Sequence, residues 1–212
     1  MTIKFVKSLL GFILSNVLAV SVCSQELTVF VYDQNNQPVA DAVVEIVSPL
    51  VKSSPPAEPS HVAQEGLVFV PFVTAVQRGT LIDFPNRDKT RHHVYSFSSA
   101  KTFEIQLYSG IPADPIQFDE PGIVVLGCNI HDYMLAYIYV GESPLLSITD
   151  SEGKAHFKSV PASELGIKLW HPWQLGNMAE QRLTPAAGGE LTLKLPVTAQ
   201  EKPKAPKRGF GS

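Results

Sequence analysis

Cys128, His131 and Met134 follow one another at three-residue spacing in GCNIHDYM, at the end of the apolar run GIVVL. A thiolate, an imidazole and a thioether in one short turn are soft or borderline donors. They suit copper better than magnesium or calcium, which select oxygen ligands. Two imidazoles and a thiolate with a weak axial thioether make a site for single-electron transfer. The second imidazole must come from elsewhere, and RHHVYSFS offers His92 and His93. Adjacent strand residues point to opposite faces, so only one of the two can reach an ion held at Cys128.

The value of that thiol depends on what precedes the body of the chain. Lys4 and Lys7 lead into LLGFILSNVLAVSV (Leu9–Val22), apolar and uncharged, and VCS follows. This pattern predicts a secretory signal peptide over residues 1–24, cleaved after Ser24. The apolar run is shorter than the ~20 residues of a membrane span, so no permanent span is expected after cleavage. Val22 stands where a lipoprotein signal would have a small residue before Cys23. Cleavage would leave Cys128 as the one thiol and exclude a disulfide within the chain. A lone Cys in an exported protein points to a dimer bond, a reactive thiol or a metal ligand. The mature charge would be −5, from 15 Lys and Arg against 20 Asp and Glu. A basic tail with Lys202, Lys204, Lys207 and Arg208 masks an acidic body, and nothing suggests a nucleic-acid surface.

The elements that must position these residues are strands. Apolar and polar residues alternate over short stretches, punctuated by Gly, Pro, Asn and Asp, with little helical periodicity. ELTVFVYDQNNQPVADAVVEIVS (26–48) reads as strand, turn, strand, and SSPPAEPS (53–60) as a linker. Between 61 and 143 lie six strand candidates: LVFVPFVTAV, GTLIDFPN, HHVYSFS, FEIQLYS, GIVVLGC and MLAYIYV. SITDSEGKAHFKSVPASELGIKLWHPW (147–173) and ELTLKLPV add further strands. Residues 198–212 are polar and rich in Pro and Lys, and are expected to be disordered. His61, His156 and His171 lack partners in the sequence and read as surface residues. WHPW (170–173) reads as strand-end packing.

Two resemblances follow from these stretches. AVQRGTLIDFPN, then HHV, then GCNIHDYM resembles the cupredoxins of the plastocyanin and amicyanin type, and bacterial methylamine-utilisation-like proteins, over about 65–143. VYDQNNQPVADAVVEIV with TDSEGKAHFKSVP resembles the carboxypeptidase-regulatory-like (transthyretin-like) β-sandwich. Asn36 stands where that family usually has Gly, and Glu164 where Gly often follows Val-Pro. About 100 residues separate the two halves of this second motif. The resulting expectation is an all-β chain: a cupredoxin Greek-key sandwich at 57–143, inserted into a second small sandwich built from 25–53 and 144–197.

The cupredoxin resemblance implies one copper ion per chain, cycling between Cu(I) and Cu(II). Its ligands would be His92, Cys128, His131 and Met134, with His93 in the place of the family's usual Asn. The resemblance also implies a second-sphere role for the Asn129 backbone. Asp132 stands where amicyanin-like loops carry Pro. The expected function is periplasmic single-electron transfer, with protein redox partners docking near His131. Residues 57–143 hold 10 acidic against 5 basic residues, so an acidic surface could steer a basic partner. Copper storage or delivery, and an exported scaffold role, are the alternatives. The absence of His-x-His pairs, a Ser-His-Asp pattern and paired carboxylates leads to the further expectation that the protein is not an enzyme.

Overall fold

The computed structural model describes residues 24–54, 58–112, 114–178, 180–185 and 189–206. The expected signal peptide falls outside these residues except for Ser24, as does part of the Pro/Ser linker. The first strands are β1 (Ser24–Tyr32) and β2 (Val43–Val47). The middle region carries β3 (Ser60–His61), β4 (Ala63–Glu65), β5 (Val68–Val70), β6 (Val73–Gln77) and β7 (Thr80–Asp83). It continues with β8 (His92–Ser98), β9 (Lys101–Tyr108), β10 (Ile116–Phe118), β11 (Gly122–Cys128) and β12 (Leu135–Gly141). Last come β13 (Leu146–Ile148), β14 (Lys154–Pro161), β15 (Leu165–Trp170), β16 (Glu180–Leu183) and β17 (Glu190–Lys194).

The chain is all-β among the described residues, with a two-sheet sandwich at its centre. Five strands in the order β6-β12-β11-β8-β9 face three in the order β10-β7-β3. Val94, Val124, Leu126, Ala136 and Ile138 from the larger sheet pack against Ile82 and Phe118 from the smaller, and Cys128 and Met134 belong to the same buried cluster. The first and last strands pair with each other. β1 lies between β14 and β17, and the order β13-β2-β15-β16 forms the facing sheet. Leu27, Val29 and Val31 alternate inward along β1 and meet Val44, Ile46, Leu165 and Ile167. Each such fully buried side chain contributes about 1.5–3 kcal/mol relative to exposure.

Asp-led turns redirect the chain after β1 and before β14. Asp33 accepts from the backbone N–H groups of Asn35 and Gln37, both at 2.8 Å. Asp150 does the same for Glu152 at 2.8 Å and Lys154 at 3.0 Å. Asn36, where the resembled family has Gly, sits at φ 61°. Asn enters this left-handed region more readily than most side chains, so the turn keeps its shape.

A third apolar cluster joins the two sets of sheets. Val43 and Trp170 meet Phe72, Val73 and Tyr139, with Tyr137, Ile148 and Trp173 at the margin. WHPW therefore packs where the outer strands meet the inner sandwich. His171 is buried at 4% exposure rather than on the surface. Its Nδ1 accepts from the Trp173 N–H at 3.2 Å, and its ring stands edge-on to Trp173. Residues 198–206 have no regular secondary structure, yet they run along the body: Thr198 N–H donates to the Trp173 carbonyl at 2.9 Å, and Lys202 pairs with Asp41 at 2.5 Å.

Within this joint Glu45 is 1% exposed. Its carboxylate accepts from Tyr139 Oη at 2.7 Å and from the N–H groups of Glu142 at 2.7 Å and Ser143 at 2.8 Å. Lys168 Nζ stands 3.7 Å away. Burial, first, and the neighbouring Glu45 charge hold the Tyr139 phenol far above its ordinary pKa. Glu45→Leu would strand two buried donors, Tyr139 Oη and the Ser143 N–H, each costing about 1–3 kcal/mol when unpaired. Urea unfolding of this variant is expected to show a loss of about 2 kcal/mol or more, and a loss below about 1 kcal/mol would refute the assignment.

Burial lowers the His171 pKa below its ordinary 6.5, with the Asp41 charge opposing. The unfolded chain then binds a proton that the folded chain resists. Stability should be full above about pH 6.5 and should fall as pH drops through that value toward the lower folded pKa. His171→Asn, which keeps an acceptor for Trp173, is expected to flatten this decline in thermal melts between pH 7.5 and 5; an unchanged slope would count against it.

Candidate metal centre

Cys128 closes β11, and His92 opens the neighbouring strand β8. The two strands run antiparallel, with Cys128 opposite Val94 and Gly127 opposite Tyr95. Alternation turns His92, Val94 and Ser96 inward, while His93, Tyr95 and Phe97 face outward. One end of the sandwich thus receives the imidazole and the thiol from adjacent strands. The turn after β11 returns His131 to the same place, and the Met134 N–H donates to the His131 carbonyl at 2.9 Å.

The sulfur of Cys128 lies 3.8 Å from His92 Nδ1 and 3.9 Å from His131 Nδ1. All three donor atoms fall within 4.8 Å of one another. A thiolate and an imidazole bound to one ion at about 2.3 and 2.0 Å, near 120° apart, stand about 3.7 Å from each other. The group therefore fits a metal ion. His92 is fully buried, Cys128 is 4% exposed and Met134 is 1% exposed. Met134 shares the buried cluster of Cys128. His131 is half-buried, with its ring 5.0 Å from that of His92. Burial, then the neighbouring His92, lowers the His131 pKa below 6.5, with Asp88 opposing.

His93 is not part of this group. Its Nε2 pairs with Glu104 at 3.0 Å on the outer face of the sheet. Asn129 and Asp132 are exposed. At Gly127 a side chain would collide with the Tyr95 ring, which comes within 2.7 Å of where a Cβ would sit.

Sequence reasoning missed the groups behind His92. Asp88 Oδ2 lies 2.9 Å from His92 Nε2. Asp88 also accepts from the N–H groups of Gly66 at 2.8 Å and Leu67 at 3.0 Å. Burial pushes its pKa up, but these bonds outweigh it and leave the pKa below the ordinary 3.8. Asn86 is 7% exposed. Its Nδ2 donates to the carbonyls of Thr90 and Tyr108, both at 2.9 Å, and its Oδ1 accepts from Asp88 N–H at 2.9 Å. Tyr108 Oη donates toward Gln64 Oε1 at 2.5 Å and the Phe84 carbonyl at 2.6 Å. The one hint in the sequence was the Asn and Asp of NRDKT just before HHV.

No family model and no curated protein matches the sequence. Several solved structures are similar over part of it. A copper-containing nitrite reductase from Thermus scotoductus SA-01 is 28% identical over 46% of this chain, at a TM-score of 0.38. The chain spans only 25% of that enzyme's length. A purple cupredoxin from Nitrosopumilus maritimus is 16% identical, covering 39% of this chain and 99% of its own, at a TM-score of 0.35. Amicyanin from Paracoccus versutus is 17% identical, covering 46% of this chain and 97% of its own, at a TM-score of 0.34.

The reductase corrects one expectation. An enzyme stands among the similar structures, so the exclusion of enzymatic activity is withdrawn. The physical reason is that a redox enzyme needs neither a nucleophilic triad nor paired carboxylates. A centre that moves one electron can serve a catalyst as well as a carrier. Among the described residues no helix is long and apolar enough to cross a membrane.

The Asn86 contacts yield a test of how the loop before His92 is held. Asn86→Ala removes three hydrogen bonds, each contributing about 1 kcal/mol. Urea unfolding should show a loss of about 2–3 kcal/mol, with faster amide exchange at Asp88. Unchanged stability and exchange would show that the loop is held by other contacts.

Proposed function

We propose that His92, Cys128 and His131 would hold one copper ion per chain, with Met134 as a further, weaker donor, and that the centre would pass single electrons between protein partners. The observation that carries this reading is the convergence of two imidazole Nδ1 atoms on one buried sulfur at 3.8 and 3.9 Å. Copper supplies the chemistry when bound, by cycling between Cu(I) and Cu(II).

The chain's own residues supply the rest. Cys128 offers a thiolate, a soft donor that favours copper over hard cations. His92 and His131 each direct Nδ1 at the sulfur. Met134, buried in the same cluster as Cys128, would offer the weak donor that tunes the potential in such sites. The surrounding apolar cluster keeps water from the sulfur side. His131 is the partly exposed member of the group, and Ile130 beside it is 46% exposed. Partners would dock at this rim, where Asp132 adds a negative charge. Export to an oxidising compartment, after removal of residues 1–24, belongs to the same proposal. So does kinship of the outer sheets to the transthyretin-like family.

Purified protein titrated with Cu(II) should take up one equivalent, develop an intense visible thiolate-to-copper absorption band and give a reversible one-electron potential. Cys128→Ser should abolish the band. Uptake without the band, or a band that survives in Cys128→Ser, would overturn the assignment. Copper surrendered to a chelator within seconds would favour delivery over electron transfer.

A further inference from the structure

We infer that Asp88 is a positioning residue of this centre, whose carboxylate holds His92 with its proton on Nε2 and its bare Nδ1 toward Cys128. The inference rests on the reading of His92 as a metal ligand, and it follows from donor and acceptor chemistry at one carboxylate.

Three N–H positions converge on Asp88. Gly66 N–H reaches Oδ1 at 2.8 Å. Leu67 N–H reaches Oδ2 at 3.0 Å and His92 Nε2 reaches it at 2.9 Å. Backbone N–H groups can only donate, and an ionised carboxylate can only accept. The imidazole nitrogen facing that oxygen must therefore carry its proton. A neutral imidazole has one such proton, so Nδ1 is left with a lone pair, and that lone pair faces the sulfur of Cys128.

The seat of the carboxylate is itself built for the purpose. Gly66 and Leu67 form the two-residue turn between β4 and β5, at φ 65° and 61°. Two successive left-handed residues point consecutive N–H groups the same way. Leu is an unfavourable side chain in that region. The bonds to Asp88 help to hold the turn in this shape. Asn86 fixes the other side, accepting from the Asp88 N–H at 2.9 Å. His92 is fully buried, which limits competition from solvent for Nε2. A hairpin turn distant in sequence thus sets which nitrogen of His92 is free.

The test begins with the full-length, metal-free protein. Long-range proton–nitrogen NMR should find His92 protonated on Nε2 alone. Asp88→Ala should give a mixture of both tautomers and weaken Cu(I) binding, measured against a competing chelator, by about 10–100-fold. Asp88→Asn can place its one oxygen between Leu67 and His92, so it should keep the tautomer and lose less affinity. Wild-type His92 protonated on Nδ1 would overturn the inference, and that measurement needs no variant to fold. A folded Asp88→Ala protein with a single Nε2–H tautomer and Cu(I) affinity within twofold of wild type would also overturn it. Failure of the wild type to bind copper would instead overturn the reading of the site, a separate result from the tautomer.

Discussion

The antiparallel pairing of β8 with β11 is the constraint on which the candidate centre depends. It sets Cys128 opposite Val94, so the inward-facing His92 and Cys128 arrive at the same end of the sandwich. A slip of one residue would turn every side chain of β8 to the other face. His93 would then enter the core, and His92 would take its place beside Glu104. The buried run of Val94 and Ser96 behind His92, and of Val124 and Leu126 behind Cys128, makes that slip costly. The same apolar alternation that builds the core therefore selects the imidazole.

The outer sheets bear on the centre through β12. This strand leaves the turn directly after Met134 and carries Tyr137 and Tyr139 into the joint with Val43 and Trp170. Glu45 on β2 then binds the Tyr139 hydroxyl and the two N–H groups just past β12. Both ends of the strand are thus held, one by the sandwich core and one by the joint. The outer strands are more than an appendage on the chain. They cover the face of the larger sheet near β6 and β12, while Phe97 on β8 stays 80% exposed.

The sequence made the candidate donors legible because their types are rare and their spacing is local. Cys128, His131 and Met134 are read from one heptapeptide. Strand alternation alone left His92 and His93 open, and the register of β8 against β11 shows which of them faces the sulfur. The strand-rich architecture was equally legible, through period-two alternation and Asp- or Asn-led turns. What stayed hidden was every group whose role comes from a distant partner. Asp88 sits in a polar turn, and its partners at 66 and 67 lie 22 and 21 residues away. Glu45 sits in an apolar strand, where a charge reads as an irregularity until Tyr139, 94 residues on, supplies its donor. His171 read as a surface residue because its cover, Trp173 and the segment past 198, becomes visible only in three dimensions.

These hidden contacts share a consequence. Cys128 is fixed by strand pairing, His92 by Asp88 and its turn, and His131 by the tight turn that Met134 closes. Each donor is held by a separate restraint, and none of these restraints is the contact between donors. With copper bound as proposed, a group held this way would change charge with little movement, since the protein rather than the redox state would set the distances. For the proposed function that is the decisive property. The cost falls on residues far from the sulfur: a left-handed Leu at 67, a buried Glu at 45, and an Asn at 86 whose three side-chain hydrogen bonds all go to backbone.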